Sequence, residues 1–341
     1  MSAAIDKRRI NGPDRLHMPV FRDSNAATNA KGVEKTSKQG DEGRMVEGSS
    51  RGRDEELRPL YIQTSLIPQA TGSCYIECSS PSASSSSSPS SRSIKIACAV
   101  YGPRQPSIGA SAGGSGGRAG FADKAELNVE CRYAPFAVAG GGGGVGGRMK
   151  PGKHLDSTLL SSRIRSALLP AVRLDLLPKA AIDIYLTVLD AGGSGSTGGS
   201  SLPASTASLE SCAALGLTAA SAALALADVD MWGLAVGALA SVQSSPSPTR
   251  ILIDPTPAEA AAASSSAASS SIVSLATMPA LGSVISLDTM TTSGSGLGLD
   301  DMDAAVRALE RAAAKVHLVV AEALQDEVKQ RQERGLGSVG R

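Results

Sequence analysis

The chain has 341 residues, is 42% hydrophobic, and sets 33 lysines and arginines against 32 aspartates and glutamates for a net charge of +1. That balance excludes a protein that coats nucleic acid through bulk positive charge and leaves room for a local basic channel only. Tracts rich in Ser, Gly or Ala interrupt the chain near residues 79–93, 107–120, 139–153, 191–208 and 258–271; such segments cannot bury enough apolar surface to offset chain entropy, so one mid-sized domain with disordered insertions is expected.

Residues 1–53 mix charge, Gly, Ser and Asn without apolar periodicity and read as a disordered arm, within which Lys7-Arg-Arg-Ile-Asn-Gly-Pro13 joins a basic cluster to a short anchor. The first residues hold no apolar core of signal-peptide length and no uninterrupted apolar run reaches membrane-spanning length, so no membrane association is expected. Regular structure begins at Arg58, with an extended piece to Ile67 and a strand over 73–78 that puts Cys74, Ile76 and Cys78 on one face. Over 94–100 the alternation is strict: Ile94, Ile96, Cys98 and Val100 point one way, Lys95, Ala97 and Ala99 the other. Gly102-Pro103 then predicts a turn that presents Arg104 at the sheet's end, where a planar fork of donors suits phosphate. On the turn alone, a surface arginine with no ligand is the preferred alternative. Glu126 to Tyr133 alternates again and is a strand.

Ser157 to Leu169 places Leu160, Ile164, Ala167 and Leu168 on one helical face and is stopped by Pro170. Ala181 to Leu189 is a strand, and Leu209 to Ala227 is a helix whose small residues, among them Ala213, Gly216 and Ala220, suit close burial against a sheet. Short strands follow over 233–242, 250–253, 272–278 and 283–287, the last two forming a hairpin through Pro279-Ala-Leu-Gly282. A long helix starts near Asp300-Asp-Met-Asp303, whose carboxylates suit the positive end of the helix dipole, and ends near 329–334 before Gly335, with 331–341 as a flexible tail. Runs of strands with interspersed helices give an α+β class with a mixed sheet, in a domain spanning 54–330.

Five cysteines on apolar faces, Cys74, Cys78, Cys98, Cys131 and Cys212, read as buried thiols of a reducing compartment, cytosol or nucleus. No Cys/His cluster completes a metal site around Cys74 and Cys78, and His17, His154 and His317 fall in the arm, a loop and the closing helix, so no triad, metal or cofactor is expected. Gly140 to Gly147 lacks the Lys-Ser/Thr ending of a phosphate loop. Trp232, the only tryptophan, reads as core or subunit packing rather than a platform for a base.

Several segments in this order resemble the RNase PH-like subunits of the RNA exosome: Arg58-Pro-Leu-Tyr61, Gln69-Ala-Thr-Gly-Ser-Cys-Tyr-Ile-Glu77, Ala99-Val-Tyr-Gly-Pro-Arg104, Cys131-Arg-Tyr-Ala-Pro-Phe136, Ala167-Leu-Leu-Pro-Ala-Val172, Leu177-Pro-Lys179, Ile182-Asp-Ile184, Ala223 to Asp228, Leu252-Ile-Asp-Pro255 and Met278-Pro279. The likeness runs from Arg58 to Leu324, and Lys7 to Pro13 is similar to the arm of the messenger-RNA-transport-regulator type of ring subunit. The resemblance implies an RNase PH fold, a hetero-oligomeric ring with other RNase PH-like subunits, cap subunits with S1- and KH-type domains, RNA in the channel, and residence in nucleus, nucleolus and cytoplasm.

It also implies where a phosphorolytic site would lie. Active relatives hold phosphate with an arginine directly after an Asp-Gly-Gly turn; here Asp190-Ala-Gly-Gly-Ser194 keeps the turn, but no basic residue occurs from Ala191 to Ala227. A second arginine falls by register at Leu155-Asp156, unless Arg148, Lys150 or Lys153 slides into its place, and the catalytic aspartate falls at Ile272. Each such group contributes about 10²- to 10⁴-fold in rate, so a catalytically dead subunit is expected. An active phosphate-dependent exoribonuclease, using Arg148 with Asp254 or Asp288, is the alternative; Asp254 itself reads as a turn cap. A scaffold independent of RNA is a third reading, should Arg104 be buried in a subunit contact. Arg104 and Arg132 are the RNA-contact candidates, with a salt bridge to Glu130 an equal reading for Arg132. Arg163, Arg165, Arg173 and Lys179 are ranked as solvated charges, partner contacts, then RNA contacts.

Overall fold

Strict alternation after residue 93 becomes β3 (Ile94–Arg104), one of the two longest strands of a five-stranded sheet. The computed structural model describes residues 54, 56–79, 93–105, 124–134, 137, 155–192, 206–244, 249–256, 259–260, 269–291 and 297–338. Beside β3 lie β2 (Gly72–Cys78), β1 (Leu60–Thr64), β5 (Ala181–Ala191) and β4 (Glu126–Tyr133), in the order β1-β2-β3-β5-β4. Every neighbouring pair is antiparallel except β4 and β5, which run parallel, so the sheet is mixed. A second, wholly antiparallel sheet is ordered β7-β6-β8-β9, from β6 (Val236–Ser244), β7 (Arg250–Ile253), β8 (Ser269–Met278) and β9 (Ser283–Thr291).

Between the sheets lies α2 (Thr206–Leu226), which packs on β2, β3 and β5 of the first and on β6 and β8 of the second. Its small side chains permit this double contact. A Cβ at Gly72 would stand 2.2 Å from the Ala223 carbonyl oxygen, and one at Gly237 2.4 Å from that of Ala214, so each sheet meets the helix backbone through a residue without a side chain. Two further helices complete the packing: α1 (Leu155–Leu168) seats Leu160, Ile164 and Leu168 in the first core, while α3 (Leu299–Ser338) covers the far face of the second sheet. Period two along β6 divides its side chains: Val236, Ala238, Ala240 and Val242 meet Ala305, Leu309 and Ala313 of α3, whereas Leu239 meets Ala207 of α2.

The α+β class and the element order agree with the sequence, and four points are corrected. Gly102-Pro103 is not a turn that ends the strand: it is a bulge within β3, and pairing resumes at Arg104 opposite Ala181. The tract expected to be disordered at 191–208 begins and ends inside secondary structure, because Ala191 closes β5 and Ser208 donates a 2.5 Å hydrogen bond to its carbonyl from the first turn of α2. The tract at 258–271 loses Ser269, Ser270 and Ser271 to β8, where cross-strand pairing with Ser244, Gln243 and Val242 overrides weak strand propensity. The closing helix continues past Gly335 to Ser338 and takes in most of the expected tail. By length and a mean hydropathy of 1.5 Ala207–Leu226 is long and apolar enough to cross a membrane, although Ser208, Glu210, Ser211 and Thr218 interrupt its apolar run, and 89% of that window is buried inside the protein, where both sheets cover it.

Candidate functional site

By the family's register, the site lies where β5 ends and α2 begins. Asp190 Oδ1 accepts a hydrogen bond of 2.9 Å from the Gly192 amide and so shapes the turn. Across from it on β8, Ile272 is buried with Ala207, Leu239 and Ala260, and Met290 packs on the group. Ile272 thus forms an apolar plug against the first turn of α2. On α1, Arg163 is paired with Glu210 of α2, a buried carboxylate. Burial raises the pKa of Glu210 although the hydrogen bond and charge of Arg163 lower it. Asp288 lines a pocket together with Arg163 and Glu210. Arg148, Lys150 and Lys153 lie outside the described residues, as do the side chains of Leu155 and Asp156.

Asp254, read as a turn cap, is instead the counter-ion of Arg58. The Arg58 side chain is 1% exposed; its Nε donates to Asp254 Oδ2 at 2.8 Å, and its second contact closes a bidentate fork on Oδ1. Cys78 donates its S–H to the same carboxylate at 3.6 Å. Burial alone would lower the Arg58 pKa; the charge and hydrogen bonds of Asp254 more than offset this and raise it. The pair joins the segment before β1 to the end of β7, linking the edges of the two sheets. Sequence reasoning missed this role, and the only cue was a lone arginine at the start of an apolar strand.

Arg104 is half exposed and forms an ion pair with Asp183 of β5, whose other oxygen accepts a 3.1 Å hydrogen bond from Asn128 of β4. Arg132 is more exposed and pairs with Glu130 two residues earlier on β4, at 2.6 Å, so of its two readings the salt bridge is the one formed. The two arginines do not converge: Arg104 stands opposite Ala181 and Arg132 opposite Thr187, six residues apart along β5, or about 20 Å. Arg165 donates to the Leu127 carbonyl at 2.9 Å, and Arg173 lies 4.8 Å from the centre of the Trp232 ring. Trp232 is 59% exposed, so of its two readings, core or subunit packing, the core is excluded. Lys179 is exposed, in a left-handed turn before β5.

All five cysteines are buried and reduced. Burial pushes the thiols of Cys74, Cys131 and Cys212 up to about 12, so they are inert packing groups. Among the described residues no three His, Cys, Asp or Glu side chains group as metal ligands.

A layered pair of sheets around a small-residue helix defines a class, and comparison agrees. Residues 56–230 match the family model described as RNase_PH, 3′ exoribonuclease family, domain 1. The chain belongs to the RNase PH family. Among its relatives is the human protein called Exosome complex component MTR3, 34% identical over 66% of this chain and 68% of its own length. The mouse protein of the same name is 31% identical over 81% of this chain and 80% of its own. The crystal structure of rice Rrp46 superposes with a TM-score of 0.51, covering 80% of this chain and 98% of that one at 17% identity, and so shares the fold.

Proposed function

We propose that this chain is a noncatalytic RNase PH-like subunit of an RNA exosome ring, which helps form the channel that carries RNA to a nuclease supplied elsewhere. The observation that carries the reading is Ile272, packed with Ala207 and Leu239 where phosphorolysis requires an acid. Two further observations support it: Asp254, the other carboxylate near that end of the second sheet, is occupied by Arg58, and α2 begins without an arginine. The relatives' name, exosome complex component, supports membership of a ring with other exosome subunits as neighbours; the proposal adds S1/KH-type cap subunits above the ring and a role in RNA processing and decay in nucleus, nucleolus and cytoplasm.

In this reading Arg104 is the principal RNA contact. Asp183 fixes the guanidinium from one side and its exposed edge keeps donors for a phosphate. Arg132, offset by Glu130, is a weaker contact, one of a separate phosphate along the strand. The test is reconstitution of the ring with its partner subunits and a labelled RNA. Ring assembly without phosphate-dependent shortening attributable to this chain is expected, and Arg104→Glu should lower RNA crosslinking severalfold with the ring intact. Phosphate-dependent shortening that disappears in Arg148→Ala or Asp288→Asn would overturn the noncatalytic reading.

A further inference from the structure

The edge strands of the two sheets are β1, β4, β7 and β9. An edge presents a row of unpaired N–H and C=O groups, which native proteins cover, shorten or blunt. Along β4 the Cys131 amide donates to Ser161 Oγ at 2.9 Å, Ser157 donates to the Cys131 carbonyl, and Arg165 donates to that of Leu127. On β7 the Ile253 amide donates to the Asp54 carbonyl at 3.0 Å. β1 has only five residues, and Thr64 with the adjoining Ser65 is tied to Glu327 of α3. β9 is the exception. It has nine residues, more than any of the other three, and among the described residues no side chain or backbone group bonds to its outer edge.

The registers show which of its groups point outward. The Asp254 amide donates to the Leu239 carbonyl, so on β6 Leu239 and Ser241 bond toward β7, while Ala238, Ala240 and Val242 bond toward β8. Alternation carries this across the sheet: Ile272, Ser274 and Ala276 of β8 bond toward β9, and Ser286, Asp288 and Met290 bond back to them. Leu287, Thr289 and Thr291 therefore turn their N–H and C=O groups away from the sheet. Nothing in the strand's sequence repels a partner, because Ser283 to Thr291 holds no Lys or Pro and one charge, Asp288, against Val284, Ile285, Leu287 and Met290. The register shift at Ala276/Thr277 bends only the hairpin end, and pairing from Ser286 to Thr291 is regular. At that hairpin end the surface is apolar. Leu281 is 55% and Val284 47% exposed, and a Cβ on Gly233, the residue after the exposed Trp232, would lie 3.7 Å from Leu281 Cδ1.

We infer that the second sheet is completed by an extended strand of a neighbouring exosome subunit, which exchanges main-chain hydrogen bonds with Leu287, Thr289 and Thr291 and packs apolar side chains on Val284, Leu281 and Trp232. A strand fits because the outward groups are both donors and acceptors and recur at every second residue, about 6.6 Å apart, the repeat of another extended backbone. An RNA backbone offers acceptors for the amides but leaves the outward carbonyls without regular donors, and the exposed Asp288 repels its phosphates. Aromatic and aliphatic side chains beside the edge suit the core of a protein interface. The inference rests on the ring reading above for the identity of the neighbour, and it adds the contact that reading lacks.

The experiment uses the full chain, alone and reconstituted with the partner subunits, and reads hydrogen exchange at single amides along β9. In the free chain Leu287, Thr289 and Thr291 should exchange quickly while Ser286, Asp288 and Met290 are slow; in the ring the first set should slow by roughly 10-fold or more. Thr289→Pro removes one outward N–H and keeps every bond to β8, so the melting temperature of the free chain should hold while assembly weakens about 10-fold. Asp288→Pro removes an N–H bonded to β8 and, as the contrasting control, should lower that melting temperature. Outward amides that are already slow in the free chain, that slow with its own concentration, or that slow only with RNA assign the edge to another occupant and overturn the inference. Outward amides that exchange in the ring as they do in the free chain overturn it too, and all four outcomes leave the ring reading standing. A wild-type chain that fails to enter the ring overturns both.

Discussion

Arg58 and Arg104 each meet one aspartate, yet the two regions use the same pair of groups for different ends. Around Arg58 the guanidinium is 1% exposed and joined in a fork to Asp254, between the edges of two sheets. Around Arg104 the guanidinium is 51% exposed, and the buried member is Asp183, already held by Asn128. Taking a charge from water is costly, so the first arginine depends on its partner and serves as a latch, while the second retains hydration and free donors and is available to a ligand. Burial, not residue type, separates a structural arginine from a binding one.

The sharpest way to break that contrast is Asp254→Ala, which leaves a buried guanidinium uncompensated. It is expected to cost about 3–5 kcal/mol in a urea unfolding experiment. A cost near zero would mean that water reaches Arg58 and that the two sites are alike. Next in size is the double variant Arg58→Met, Asp254→Leu. Replacing a buried pair by apolar residues of similar volume is often neutral or stabilising by about 1–4 kcal/mol, so it should recover what Asp254→Ala loses. If it remains as unstable as the single variant, the pair contributes specific geometry as well as charge neutrality.

An intermediate case is Glu327 of α3, which accepts hydrogen bonds from Ser65 after β1 at 2.7 Å and from Arg331 at 3.2 Å. Burial would raise its pKa, but the hydrogen bonds from Ser65, Arg331 and Thr64 and the Arg331 charge together bring it below 4.5. A carboxylate lowered in the folded state stabilises the fold fully above its unfolded pKa and loses that contribution as pH falls through the folded one. Melting temperature should therefore drop below about pH 4.5, and Glu327→Gln should flatten that part of the profile. The smallest effect is expected for Arg104→Ala, under about 1 kcal/mol by the same urea measurement, because the half-exposed guanidinium is hydrated and Asn128 still donates to Asp183 once it is gone. A larger loss would make Arg104 a second latch and remove the reason to assign it to RNA.

How far the sequence spoke for itself depended on the range of the interaction. Alternation in 126–133 and 94–100 located strands because one buried face imposes period two wherever the strand pairs. The small-residue helix was legible in the spacing of Ala213, Gly216 and Ala220, and the hairpin at Pro279 to Gly282 in its turn residues. The serines of 269–271 misled, since their strand state comes from partners on β6 and not from their own propensity. Asp254 misled for a similar reason: its neighbours in sequence suggest a cap, while its partner lies 196 residues away. For Trp232 the neighbours in sequence leave core and subunit packing both open, and the bridge from Val172 to Met231 with the hydrogen bond from its amide to the Ala171 carbonyl decides against the core.

The sequence by itself determined the α+β class, the element order and the absence of a phosphate-holding arginine from Ala191 to Ala227, because these are written in local periodicity and residue identity. Tertiary structure alone decided that Ile272 closes the end of α2, that Arg58 is buried and Arg104 is not, and that β9 is left with an open edge. Each of these depends on which distant segment supplies the neighbouring atoms, and desolvation, which sets what a charge or hydroxyl can do, is a property of those neighbours.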